Sequence, residues 1–558
     1  MTTEPVDLAG ALDAVLASPA NTTLRRFVPD ASTARLVTRL ARHPRSLAGR
    51  GRELADELAR ITTGASALVP QPRDRRFTDT AWQSNPLLRR TVQAYLATSR
   101  TVESLVDDAD LDWRDAQRVR FLVENLVEAA APSNNPLLNP QAWKAFIDTG
   151  GGNAVNGIRN LLSDLRSAPR VPSMVDPSAF DVGGSLAATP GAVVFRGDVF
   201  ELIQYAPQTK TVYERPLLIV PPTINKFYVL DLAPERSMVE YLVRQGQQVF
   251  VISWRNPDAR HASWDADTYG QAILDALDAV EQVSGASRTV LTGICSGGIL
   301  ASLVMGHLTA IGQADRIAGF GLAVTMLDQH QAGPASALMD ETTATATVTA
   351  SKARGYLDGR ALAEVFAWLR PSDLIWNYWV NNYLLGKQPP AFDILYWNAD
   401  TTRMTAGLHR DFINLAKANA ISDGAAEMLG STVDLRQVST DSYVVAAITD
   451  HICPWQTCYS STQLLGGQTR FVLSNAGHIA AMVNPPSNPK ASFHVADQTP
   501  ASPTEWEAAA TKQAGSWWPD FAAWLAERGG ERKPAPTEPG SLGHQVLAPA
   551  PGTYVYDN

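Results

Sequence analysis

Gly293-Ile294-Cys295-Ser296-Gly297 closes an apolar run that begins at Thr289. A Gly-x-nucleophile-x-Gly spacing at that place marks a sharp strand-to-helix turn that presents a nucleophile, with glycines where neighbouring chain passes too close for a Cβ. Cysteine stands where serine is more usual. The N–H of Ser296, opening the helix, is a candidate oxyanion donor, and the same helix end is expected to favour the thiolate. Such a nucleophile needs a base and an orienting carboxylate, in the chain order nucleophile, acid, histidine. Among nine histidines, His478 in Ser-Asn-Ala-Gly-His supplies the base and Asp450 in Ile-Thr-Asp-His the acid. A strand end aims only one of two neighbours at a given point, so His451 takes a supporting place over Asp450 or the sulfur. The second oxyanion N–H is expected just after a Pro-Pro turn, from Thr223 or Ile224. His451, Cys453 and Cys458 match no familiar zinc spacing, so no metal is expected and both cysteines are read as core.

The sulfur directs the chemistry. An acyl group on serine oxygen usually ends in hydrolysis, whereas on cysteine it remains a thioester, close in energy to an acyl-coenzyme A. Loading from coenzyme A is then nearly thermoneutral, and the acyl group stays activated for transfer to a hydroxyl. His478 would deprotonate the thiol and then the hydroxyl, with Asp450 fixing the imidazole tautomer. Direct assistance of the hydroxyl by Asp450 is equally consistent with the sequence. The alternative reaction of the same triad is hydrolysis, as an acyl-coenzyme A thioesterase or a polyester depolymerase.

These residues need a frame of strands and helices. A hairpin pattern at 192–205 is followed by short β-branched runs at 215–222, 247–254 and 288–295, with a helical pattern at 268–285 before the last. Further strands are expected at 441–450 and 469–478. The alternation predicts an α/β fold with a mostly parallel sheet covered on both faces. Helical periodicity at 85–106, 113–131 and 153–166 marks a preceding helical region. Residues 326 to 435 read as an inserted helical cap, whose Trp and Tyr residues at 376–397 suit cap core, dimer contact or acyl-chain wall. The resulting division is 1–71, short surface helices or partial disorder; 72–185, helical; and 186–558, catalytic with the cap inside. The Pro-rich tail after 530 reads as extended.

Bulk properties exclude several classes. A net charge of −9 with no basic stripe argues against nucleic acid. No run of apolar residues is long enough to span a membrane, and the acidic start of the chain does not read as a signal peptide. Three cysteines fit a reducing compartment without a disulfide framework.

Several stretches together resemble the polyhydroxyalkanoate synthases: "GICSGG", "PPTINKFYVLDLAPERS", "VFVISWRNPDARHASW", "RPSDLIWNYWVNNYLLGKQPPAFDILYWNAD", "DHICPW", "LSNAGHIAAMVNPP", "GSWWPDFAAWLAERGG" and "DRRFTDTAWQSNPLLRRTVQAYL". The resemblance runs from about residue 72 to "PAPGTYV" and leaves the first seventy residues unplaced. It implies an α/β-hydrolase fold with an inserted cap behind a helical N-terminal domain. It also implies polymerisation of (R)-3-hydroxyacyl-coenzyme A into polyester with release of coenzyme A, which is part of substrate and product, so no separate cofactor is expected. On this resemblance Cys295 carries the growing chain, His478 is the base and Asp450 the acid. The enzyme would be a cytoplasmic homodimer at the surface of the polyester granule. The single long chain looks most like the medium-chain-length branch, class II. Ile294 and Ser296 stand where that branch typically carries alanines, at positions expected to shape the acyl pocket.

Overall fold

A computed structural model describes residues 31–72, 74–166, 169–329, 341–450 and 452–558. Contacts divide it into two units, residues 31–176 with Arg360–Ala391, and Pro177–Gly359 with Phe392–Asn558.

The first unit is helical. Its elements include α1 (Ala31–Arg42), α2 (Pro44–Thr63), α3 (Pro86–Asp108), α4 (Trp113–Ala129), α5 (Pro140–Asp148) and α6 (Gly152–Arg166). One local device starts two of them. Asn85 and Asn139 each precede a proline, and each side chain accepts the first two free N–H groups of its helix. Proline at the first helical position forfeits only a donor with no intrahelical partner. The stretch expected as short helices or disorder holds α1 and the 20-residue α2. Side-chain bonds between residues distant in sequence fix them: Arg50 grips Asp108 in an ion pair with two bonds of 2.8 and 3.0 Å, and the Ser32 hydroxyl donates to Asp115 at 2.7 Å. Residues 1–30 lie outside the described residues.

Arg360–Ala391 also belongs to this helical unit, so the segment expected as one cap is divided. Val171, Ala367 and Ile375 form a shared apolar cluster. The Asn153 amide donates to the Leu384 carbonyl at 2.9 Å, and Tyr383 donates its hydroxyl to Asp164 at 2.7 Å. Gly157 permits the approach, because a Cβ there would sit 1.9 Å from the Tyr383 carbonyl oxygen. The aromatic run divides as well. Trp376, Trp379 and Tyr383 pack edge to face within the helical unit. Trp397 is instead buried in the catalytic unit, its indole N–H donating to the Lys226 carbonyl at 2.7 Å.

In the second unit, β1 (Gly191–Arg196), β2 (Phe200–Tyr205), β3 (Leu217–Val220), β4 (Val249–Trp254), β5 (Thr289–Ile294), β6 (Ile317–Ala323), β7 (Ser442–Ala447), β8 (Thr469–Ser474), β9 (Ser492–Val495), β10 (Thr511–Ala514) and β11 (Ala548–Pro549) form one sheet. Their order is β10-β9-β8-β7-β6-β5-β3-β4-β2-β1-β11. The six from β8 to β4 are parallel, and antiparallel strands finish both edges. Every residue of β3, β4 and β5 is buried. That explains why apolar residues do not alternate with charged ones along them, since a parallel sheet between helical layers has no solvent face. α7 (Ala266–Ser284) connects β4 to β5, and α8 (Ser296–Ala310) follows β5. α8 is apolar all round, and Ser296 to Leu308 are all buried, so it sits in the core. α9 (Glu341–Arg354) and α10 (Ala406–Ala418), from the expected cap region, pack in this unit. The far edges are modest: β10 is four exposed residues, three of them polar and one of these Lys512, and β11 is two residues ending in Pro549. The Pro-rich tail, expected as simply extended, thus supplies the last strand.

The chain steps from β3 to β4 on one side, then crosses back to lay β5 on the other. That reversal leaves a crevice at the carboxyl ends of β3 and β5, the place where open α/β sheets bind ligands. This is the α/β-hydrolase arrangement. No helix among the described residues is long and apolar enough to cross a membrane.

Candidate active site

Cys295 is the single residue between β5 and α8, with φ 52° and ψ −123°. Positive φ is costly for a side-chain-bearing residue and persists only where its surroundings enforce it. They do so here. The Cys295 N–H donates to the Ala323 carbonyl of β6 at 2.9 Å, while its own carbonyl accepts from Gly298 at 2.9 Å. The glycines serve close approach. A Cβ on Gly293 would lie 2.5 Å from the Gly298 Cα, and one on Gly297 would lie 2.3 Å from the Pro221 carbonyl oxygen. Gly298, not singled out from sequence, is equally constrained, its Cβ position falling 2.1 Å from Thr325 Oγ1.

Asp450 lies in the turn after β7, its N–H donating to the Ala447 carbonyl at 3.1 Å. Its Oδ1 accepts from the N–H groups of Ile452 and Cys453 at 2.8 and 2.9 Å, leaving Oδ2 for the Nδ1 of His478 at 2.7 Å. His478 is the first residue of α11 (His478–Met482), after β8. With Nδ1 donating to the carboxylate, Nε2 is left as the acceptor facing the Cys295 thiol. The tautomer follows from the hydrogen-bond network. The structure therefore brings Cys295, His478 and Asp450 together, all buried.

Electrostatics sets their resting states. Burial alone would lower the His478 pKa, but the charges of Asp450 and Cys295 and the bonds to both outweigh it and push it up to about 10. The Cys295 thiol is itself raised well above its ordinary value by its bond to Cys453 and by burial, against a lowering by His478. The two groups share one proton: an imidazolium gains from a thiolate beside it and loses that gain when the sulfur is neutral. Cys295 consequently rests as the thiol, correcting the expected thiolate, because the helix end does not replace the lost hydration of a buried sulfur.

The oxyanion donors are changed in one respect. The Thr223 N–H donates to the Ser296 hydroxyl at 3.0 Å, with the two hydroxyls 3.3 Å apart. That amide is engaged, which leaves Ser296 N–H, at the unpaired start of α8, and Ile224 N–H as the candidate pair. The link joins a loop to the start of α8, 73 residues apart, so no local pattern announces it. His451 lies outside the described residues.

Cys453 was read as core, and it is buried, but it belongs to this site. Its sulfur, the Cys295 sulfur and a His478 ring nitrogen all lie within 4.8 Å of one another. The turn explains the placement: the Asp450 carboxylate accepts the N–H three residues on and curls Cys453 back toward the nucleophile. An Asp-x-x-Cys spacing beside a triad acid is the signal that sequence reading passed over. Among the described residues, this set has the donors and spacing for a metal ion. Such an ion would occupy both the nucleophile and the base and so block acyl transfer.

Comparison with known proteins gives two family matches. The N-terminal region of poly-beta-hydroxybutyrate polymerase (PhaC) matches residues 73–242, and the alpha/beta hydrolase fold matches residues 216–485. Poly(3-hydroxyalkanoate) polymerase 2 of Ectopseudomonas oleovorans is 47% identical over 526 residues, covering 94% of each chain. Polymerase 1 of the same organism is 46% identical over 528 residues, again covering 94% of each. The poly(3-hydroxyalkanoate) polymerase subunit PhaC of Cupriavidus necator is 40% identical over 491 residues, covering 86% of this chain and 83% of that one.

Proposed function

Because this chain belongs to the poly(3-hydroxyalkanoate) polymerase family, we propose that it builds its polyester through a thioester on Cys295, with His478 as base and Asp450 as its orienting acid. The chain polymerises hydroxyacyl-coenzyme A into polyhydroxyalkanoate. In loading, Nε2 of His478 takes the thiol proton as the sulfur attacks the acyl carbonyl. The oxyanion forms against the N–H groups of Ser296 and Ile224, and the imidazolium protonates the departing coenzyme A sulfur. In elongation, the same nitrogen takes the proton of an attacking hydroxyl, an ester forms, and Cys295 leaves as the thiol. Asp450 holds the imidazole in the tautomer both steps need. The 2.7 Å bond from His478 to Asp450, with the thiol on the opposite side of the ring, carries this reading.

Every proton and electron pair in these steps comes from the triad and the substrate, so the reading needs no cofactor beyond the coenzyme A of the substrate. The sequence resemblance supports (R)-3-hydroxyacyl units, of medium length where relatedness to the Ectopseudomonas polymerases guides the choice. It also supports a cytoplasmic homodimer at the granule surface. The test follows thiol release from (R)-3-hydroxyoctanoyl- and (R)-3-hydroxybutyryl-coenzyme A, with product mass read alongside. High-mass polyester, faster release from the longer substrate and loss of both in Cys295→Ala are the expected outcomes. Release with only free hydroxy acids would make the protein a thioesterase and overturn Cys295 as chain carrier.

A further inference from the structure

The chain has only three cysteines, and the fold gathers all of them at one place. Cys453 and Cys295 present their sulfurs to the same imidazole within 4.8 Å, and the Cys458 thiol donates to the Cys453 carbonyl at 3.6 Å. All three are buried and none is in a disulfide. Acyl transfer as derived above uses only Cys295. Cys453 is not free packing, for its N–H is bound to Asp450 and its side chain is held against the nucleophile. A thiol at this point has a chemical consequence that an aliphatic side chain of similar size would not have.

We propose that Cys453 is a resolving thiol for Cys295, so that a hydroperoxide converts the pair into a reversible disulfide. This rests on Cys295 lying at the inner end of the substrate path, as the acyl-transfer reading requires. The path that admits an acyl thioester also admits hydrogen peroxide. In the first step the Cys295 sulfur, its proton passing to His478, attacks one peroxide oxygen. The O–O bond breaks, Cys295 becomes the sulfenic acid and water leaves. In the second step the Cys453 sulfur attacks the Cys295 sulfur, the S–O bond breaks, the disulfide forms and a second water leaves. The sum is two thiols and one peroxide to one disulfide and two waters. His478 serves both steps, since both sulfurs lie beside it. The sulfurs must close to about 2.05 Å, the disulfide bond length. Rotation about each Cα–Cβ bond is the movement this requires, starting from sulfurs that already lie within 4.8 Å of each other. The outcome is a polymerase that is off while oxidised, with its nucleophile kept from the irreversible sulfinic and sulfonic states.

The test uses the full chain in chelating buffer, without substrate, given graded hydrogen peroxide, then alkylated and mapped by mass spectrometry. The expected product is a peptide pair linked through Cys295 and Cys453, lighter by two hydrogens, with Cys458 still alkylated. Polymerase rate falls in step with that linkage and returns with dithiothreitol. Cys458→Ser retains the link. In Cys453→Ser the same dose adds two or three oxygens at Cys295, and the lost rate, relative to that variant's own untreated rate, does not return. The wild-type map decides the matter even if a variant fails to fold. Oxygen addition at Cys295 without a link, or a link between Cys453 and Cys458 that leaves Cys295 reactive, overturns the proposal. An error in the underlying reading shows separately, as polymerase activity retained in untreated Cys295→Ala.

Discussion

Replacing Gly297 by alanine places one methyl group between α8 and the end of β3. The new Cβ would stand 2.3 Å from the Pro221 carbonyl oxygen and 2.4 Å from that of Val220. Both obstacles are backbone at the end of a fully buried central strand, so neither can swing away as a side-chain tip would. Ordinary contact requires the start of α8 to retreat by about 1 Å, and Cys295, one peptide unit before α8 begins, must move with it. A displacement of about 1 Å in a reacting atom can cost roughly 10²-fold in rate, and overpacking of this kind costs about 1–3 kcal/mol in stability. Gly297→Ala is therefore expected to lower the initial rate of coenzyme A release about a hundredfold and to reduce Tm measurably. Gly49→Ala is the control. Gly49 lies within α2 with nothing near its Cβ position, so alanine there raises helix stability by about 0.5–1 kcal/mol and leaves the rate alone. A Gly297→Ala protein with wild-type rate and Tm would refute the claim that close approach, and not chance, fixes glycine after the nucleophile.

Asp450→Asn retains an oxygen for the N–H groups of Ile452 and Cys453 but turns an amide toward His478, reversing the imidazole tautomer; kcat for polymer formation should fall by about 10⁴, with coenzyme A release and product mass as readouts. The pH dependence of stability has a defined sign. The Asp450 carboxylate raises the His478 pKa in the folded state above its ordinary 6.5, so the stability this pair contributes is complete below about 6.5 and is lost as pH rises through the raised folded value. Thermal unfolding across that range should show a declining Tm, with the decline blunted in Asp450→Asn; an unchanged decline would remove Asp450 as the cause. Ser296→Ala deprives the buried Thr223 N–H of its acceptor, an expected loss of about 1–3 kcal/mol, read as a lower Tm with slower thiol release. Equal stability of the two proteins would mean that this contact is immaterial.

The elements that carry the site were legible in the sequence because their signals are local. β3, β4 and β5 are short apolar runs ending in turns, and the glycines flanking Cys295 lie within two residues of it. The order Cys295, Asp450, His478 selected three side chains that the fold brings together from the ends of three strands. What escaped was set by contacts between distant residues. Arg50 with Asp108 and Ser32 with Asp115 order a region whose apolar periodicity is weak. Asn153 and Asp164 draw 360–391 to the helical unit, although its aromatic composition reads like that of the cap around it. Cys453 was missed because an apolar setting for a cysteine is the ordinary expectation, and only the turn at Asp450 reveals which way it faces. Thr223 stood at the right turn, but the Ser296 hydroxyl, far off in sequence, engages its amide.

The edges of the eleven-stranded sheet bear on behaviour in a crowd. An open strand is a template onto which a second chain can add by main-chain pairing, and proteins held at high local density are the most exposed to that hazard. Here one border is the short polar β10 with Lys512, and the other is a two-residue strand ending in Pro549, which has no N–H to offer. Copies of this chain held close together would meet at borders poorly suited to propagating a ladder. Such borders favour a population of separate catalysts over a fused, inactive film.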